Sequence, residues 1–347
     1  MITLSTQHAA SARVPGARAQ IAHRADDAFP FLHDTMIARL GGRLLLAWYN
    51  CTEDEIVGRT VIRGRWSSDE GMTWSAPEII AEDLQGVAHM VPVTFSEYGG
   101  EIWAYATSMA SHDRPTGYRC YRYERNGWVE RERRSEPLLI NTLPQSVGAD
   151  WLAGGRMAAV SGELPLIPVV VRSRPQAPAD WQVQPLPGPW NRGEYPLHFP
   201  ETALLADGSR VDAIIRNDAG PALCCASADG GVTWGEVQPC DMPIVPSKLF
   251  GGTLPDGRQY LIYNERIQEN EPRDRSRLVI ALRRNADTPF DRIWTIADGF
   301  SDTLDAGPFW HYPCACTSGG YLHVSCTASA HSIVRHAAVF SLPLDEL

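Results

Sequence analysis

A chain of 347 residues with 44% hydrophobic and 21% charged residues has enough apolar side chains for a folded core and no bias towards disorder. Its 31 Lys and Arg against 41 Asp and Glu leave a net charge of −10, which argues against binding to a phosphate backbone, so no nucleic-acid partner is expected. No stretch approaches the roughly 18 consecutive apolar residues of a membrane helix, and the opening Met1-Ile2-Thr3-Leu4 carries no basic export signal. A cytoplasmic protein without membrane contact is therefore expected, with its eight cysteines as reduced thiols.

In chain order, short β-rich runs such as "RLLLAWYN" (43–50) and "RTVIRGRW" (59–66) are separated by Gly- and Asp-containing turns: "RLGGR", "EYGGE", "LADGS", "LPDGR" and "TSGGY". These turns recur from set to set about every 50 residues, a propeller-blade period. Helical periodicity is hard to find. The strand sets fall near 30–80, 87–135, 138–186, 196–240, 244–297 and 309–345, which predicts an all-β, six-bladed propeller. One N-terminal strand is left over. Its expected place is in the last blade, closing residues 1–347 into a single domain without exposed sheet edges.

Two segments share the frame S-x-D-x-G-x-T-W: "SSDEGMTW" (67–74) and "SADGGVTW" (227–234). Asp69 and Asp229 can accept backbone N–H groups inside their own turns, Gly supplies a positive φ, and Trp74 and Trp234 pack between sheets. The repeated frame resembles the Asp-box of the sialidase (neuraminidase) superfamily, whose members are six-bladed propellers. The box marks the fold and not the chemistry.

The resemblance extends to candidate site residues. In "FPETALLADGSRVDAIIRN" (199–217) Glu201 opens one strand and Arg216 closes the next, so a tight hairpin brings them side by side. In residues 260–285 Asn264 and Arg277 match the family's strand-closing Asn and strand-opening Arg, and in "WHYPCACTSGGYLHVSC" (310–326) Tyr312 matches its late tyrosine. The resemblance implies a glycoside hydrolase acting on a terminal, carboxylate-bearing sugar of a small oligosaccharide. Tyr312 would be the nucleophile, activated by Glu201, with Arg216 and Arg277 on the carboxylate. The acid-base carboxylate would come from Asp54 or Glu55 in "NCTEDEIVG" (50–58).

The chain departs from the family where its first carboxylate-binding arginine is expected, in "FPFLHDTMIARLGG" (29–42): His33 and Asp34 stand there as candidate substrate contacts. Two other classes remain open. Propeller-fold uronate lyases use paired histidines, and His89 with His112 flanks one hairpin here; a non-catalytic sugar-binding propeller is the third class. His311, Cys314, Cys316 and His323 cluster in sequence, but their spacing matches no zinc pair, so no metal and no cofactor are expected.

Overall fold

The computed structural model describes residues 2–4, 12–112, 114–125, 127–160, 163–188, 190, 197–267, 271, 274–299, 304, 307–330 and 334–347. After β1 (Arg18–His23) the chain lays down six antiparallel meanders in order. The first is β2 (Phe31–Leu40), β3 (Arg43–Cys51), β4 (Thr60–Ser67) and β5 (Glu78–Glu82). The second is β6 (His89–Tyr98), β7 (Glu101–Ser111), β8 (Arg114–Glu124) and β9 (Gly127–Arg134). In the third, β10 (Leu138–Ile140) and β11 (Gln145–Val147) share the inner position against β12 (Asp150–Val160), followed by β13 (Glu163–Ser173) and β14 (Gln182–Pro185).

The fourth is β15 (Thr202–Asp207), β16 (Arg210–Ile215), β17 (Leu223–Ser227) and β18 (Gln238–Pro239). The fifth is β19 (Phe250–Thr253), β20 (Gln259–Asn264), β21 (Arg277–Arg283) and β22 (Arg292–Asp298). The sixth holds β23 (Phe309–Ser318), β24 (Tyr321–Ser329) and β25 (Arg335–Pro343), with β1 on its outer edge paired Arg18 to Ser341. There is no helix among the described residues. The inner strands β2, β15, β19 and β23 touch the inner strands of neighbouring blades, and β2 against β23 closes the ring of a six-bladed propeller.

Because each sheet is packed on both faces by its neighbours, several middle strands, β3 and β20 among them, are apolar almost throughout rather than alternating. In β3 all residues after Arg43 are buried, and every residue of β20 is buried. The two Asp-boxes hold their turns in the same way. Asp69 accepts Thr73 N–H at 2.9 Å, Thr73 Oγ1 at 2.6 Å and Ser67 Oγ at 2.8 Å; Asp229 repeats this with Thr233 and Ser227 at 2.8, 2.6 and 2.7 Å. The Thr73 hydroxyl and backbone donors pull the Asp69 carboxyl to about 2. Trp74 and Trp234 are partly rather than fully buried, each packed against the core of its own side of the ring.

Each box also grips the blade before it. Arg172 of blade three donates to Gly230 O at 2.6 Å and Gln184 to Val232 O at 2.7 Å. Across the closing seam, Gln20 of β1 donates to Gly71 O, while Ser318 Oγ and His323 Nε2 of blade six meet Glu70 at 3.1 Å each. Replacing Trp234 by Ala should lower stability by about 3 kcal/mol, the low end for a large core aromatic because the indole is only partly buried. Urea unfolding checks the loss, and ligand binding per folded molecule should be unchanged.

Candidate functional site

The site is built where the inner strands stop being regular. Pairing of β2 with β3 slips between His33 and Met36, and pairing of β23 with β24 slips between His311 and Cys314. Within these bulges Asp34 (φ 51) and Tyr312 (φ 54) take left-handed backbone conformations. For a bulky residue such as tyrosine that conformation is an outlier, costing on the order of 1–3 kcal/mol, and a bulge re-aims the side chain it carries. Both side chains face a cavity of about 200 Å³ at one end of the ring. That is small beside the ~300–1,000 Å³ of drug-sized ligand pockets, so it suits a small ligand or one end of a larger one.

Tyr312, Glu201 and Arg216 form one connected group. The register of β15 and β16, Thr202 opposite Ile215, places Glu201 across from Arg216, whose N–H donates to Glu201 O at 2.9 Å. Arg216 Nη1 then donates both to Glu201 Oε2 at 2.9 Å and to the Tyr312 hydroxyl at 3.0 Å, while Asp218 fixes the rest of the guanidinium at 2.7 Å. Arg156 reaches the other Glu201 oxygen at 3.2 Å. Burial alone would raise the Glu201 carboxyl, but Arg216, Arg156 and Lys248 outweigh it and hold it below the usual range. Tyr312 is pushed up by burial and by Glu201, with Arg216 and Arg275 opposing, so it rests as a neutral phenol.

Two further arginines enter the cavity. Arg275 donates to Pro246 O at 3.2 Å and approaches His311 Nδ1 at 3.1 Å; Arg335 lies over the Phe31 ring at 4.4 Å. Neither has a carboxylate partner among the described residues. Arg277, the expected clamp residue, does not line the cavity: it already stands in the β21 ladder and turns to Glu265 at 3.4 Å and Asp298 at 3.2 Å. The segment 273–277 alternates arginine with other residues, and Arg275, two positions earlier and outside the strand, is the one at the mouth. Arg335 and Arg156, which the sequence does not single out, also line the cavity; each is an arginine beside or within an apolar strand, with no hairpin partner to mark it.

The remaining candidates divide. His33 stacks on the Tyr312 ring at 4.4 Å and bonds Thr327 Oγ1 at 3.1 Å; burial, then Arg335, keeps it far below the ordinary histidine value and neutral. Asp34 meets the fully buried Lys248 at 2.5 Å, and Lys248 also lies 5.8 Å from the Tyr312 ring centroid. Asn264 stays outside the cavity but donates to Trp310 O at 2.9 Å, bracing the strand that carries Tyr312. Glu55 lines the cavity, whereas the exposed Asp54 caps the Glu55 N–H at 2.7 Å. His112 lines it as well, but His89 lies outside and is held by Thr60 Oγ1 at 2.9 Å. His311, Cys314 and His323 have separate partners in Ser329, Ile37 and Glu70.

A family model described as BNR repeat-like domain matches residues 42–324. Among solved structures, the chain is similar to a mutant of Trypanosoma rangeli sialidase displaying trans-sialidase activity, with a TM-score of 0.73 and 14% identity over 97% of this chain. It covers 60% of that structure's own length. It is also similar to the NanB sialidase of Streptococcus pneumoniae, at TM-score 0.71 and 11% identity, over 94% of this chain and 71% of the other. A third similar structure is T. rangeli sialidase in complex with 2,3-difluorosialic acid, a covalent intermediate, at TM-score 0.71 and 12% identity, covering 96% of this chain and 60% of that one. No curated protein matches the chain.

Two tests concern the buried charges. Lys248→Met should cost about 3–5 kcal/mol by leaving Asp34 without its partner, and adding Asp34→Asn should recover much of that loss. Denaturant unfolding of the two variants measures both. Buried neutral, His33 and His311 bind protons more readily once unfolded. Stability should therefore be full above the unfolded value of about 6.5 and fall below it, by up to about 1.4 kcal/mol per pH unit for each ring. Urea midpoints at pH 7.5 and 5 should show the drop, and a flat profile between them would count against neutral burial.

Proposed function

The chain belongs to the family of BNR repeat-like domains, and from that premise we propose that it is a glycoside hydrolase of sialidase type, acting on a terminal sugar that bears a carboxylate. The observation that carries this reading is the convergence of Arg275 and Arg335, guanidiniums without a carboxylate partner among the described residues, on the cavity that already holds the Tyr312, Arg216 and Glu201 group. A partly buried guanidinium with no carboxylate beside it calls for an anion, and its planar fork suits a carboxylate.

The chemistry follows from placing that carboxylate on the arginines. Its anomeric carbon then lies by the Tyr312 hydroxyl. A neutral phenol approaches a carbon next to a carboxylate without charge repulsion, and the raised value of Tyr312 keeps it neutral until the bond forms. Glu201, ionised and sharing Arg216 Nη1 with the phenol, is the base that takes its proton, while Arg216 and Arg275 stabilise the oxygen as charge develops. The leaving group departs towards Glu55 and His112 on blades one and two. All eight cysteines are free thiols, which fits a reducing compartment such as the cytoplasm.

Turnover of 4-methylumbelliferyl glycosides of sialic acid and of glucuronic acid tests the reading, and failure on both would remove it. On the substrate accepted, Tyr312→Phe should lower kcat by about a thousandfold or more with KM little changed, since only the attacking oxygen is lost. Arg335→Gln should raise KM by about 10- to 100-fold, the value of one charge-assisted carboxylate contact, while Arg277→Lys should leave both constants near wild type.

A further inference from the structure

The cavity holds one pair of titratable groups whose roles the displacement at Tyr312 does not assign. Glu55, in the loop between β3 and β4, accepts the Tyr49 hydroxyl at 3.0 Å and lies 3.5 Å from His112 Nε2. His112, just after β7, stands edge-on to Phe199 at 5.2 Å. Its side chain is 45% exposed and that of Glu55 30%, so the pair sits at the rim while Glu201 lies sealed at the base, 2% exposed. The rim is where an aglycone must leave.

The two partners are not equivalent proton donors. Burial would raise the Glu55 carboxyl, yet His112, Arg335 and the Tyr49 hydroxyl together hold it below its usual range. It is therefore ionised near neutral pH and has no proton to give. The imidazole of His112, its Nε2 facing that carboxylate, is the other group at the rim that can carry a proton.

We propose that His112 is the general acid of the reaction and that Glu55 is the anion that positions it. This rests on the hydrolase reading. As the bond from the anomeric carbon to the aglycone oxygen breaks, its electron pair goes to that oxygen, which takes a proton from the His112 imidazole held beside Glu55. The oxygen of Tyr312 forms the new bond to the sugar. In the second half, neutral His112 takes a proton from the attacking water, the bond from Tyr312 to the sugar breaks, and the tyrosine oxygen regains its proton from Glu201.

Loss of a general acid matters only where the leaving group needs a proton. The test therefore compares wild type, His112→Gln and Glu55→Gln on two glycosides of the acidic sugar that the wild type turns over. One is the 4-methylumbelliferyl glycoside, whose phenol leaves unprotonated; the other is a lactose-linked glycoside, whose alcohol does not. His112→Gln should lose about 100-fold or more in kcat/KM on the lactose-linked substrate and less than about tenfold on the aryl one. Glu55→Gln should show a smaller loss with the same bias. Equal losses on both substrates for His112→Gln, or a bias found in Glu55→Gln alone, overturn the assignment. A product absorbing in the near ultraviolet, formed without uptake of oxygen-18 from water, would make His112 an eliminating base instead. Wild type inert on every glycoside defeats the hydrolase reading itself, a result separate from the failure of His112.

Discussion

Closing six sheets into a ring is the constraint from which the rest of this structure follows. An open propeller would leave the outer edge of blade six unpaired and the inner strands β2 and β23 unsupported. Pairing of β1 to β25 completes that blade. With the ring closed, the inner strands of all six blades end around one axis, and side chains distant in sequence meet there. Glu201 and Tyr312 are joined through Arg216 across two blades, and Asp34 and Lys248 across two others.

The axis carries an imbalance of charge that the surface does not share. The chain as a whole is acidic, yet Arg156, Arg216, Arg275, Arg335 and Lys248 gather around Glu201 and Asp34. Burying that many cations is unfavourable unless each finds an acceptor, and backbone carbonyls and aromatic faces supply only part of the need. Arg275 is itself pulled down by its burial. On the proposed reading such a cavity is prepared for an anion before one arrives, which lowers the reorganisation required on binding.

Local features of the sequence reveal the fold and one pair of the site. The Asp-box turns, the spacing of the strand sets and the apolar middle strands are all short-range patterns, and each has its counterpart in the structure. Glu201 and Arg216 were legible for the same reason: one hairpin joins them, so counting residues is enough. Arg335, Arg156 and Lys248 reach the axis from three separate blades, and no spacing within one segment shows that they meet. Arg275, two residues ahead of the expected Arg277, is the one that lines the cavity, and the sequence shows where a strand begins less sharply than where its apolar run lies. The bulges at Asp34 and Tyr312 have no sequence signature at all; tyrosine is the last residue that a left-handed position would suggest.

The two Asp-boxes lie in blades one and four, and each fastens its blade to the one before. These two joints, six to one and three to four, lie across the axis from each other and divide the ring into halves of three blades; other joints are tied as well, blade one to two through Glu78 and Trp128 and blade four to five through Asp212 and Arg283. Tyr312, Arg216 and Arg275 belong to one half; Glu55, His112, Asp34 and Arg156 belong to the other. The Arg156–Glu201 and Lys248–Asp34 ion pairs tie one half to the other across the cavity. In mechanical terms, the turns that mark the fold act as rivets at the outside of the ring, and the buried ion pairs at the axis fasten the same halves from within.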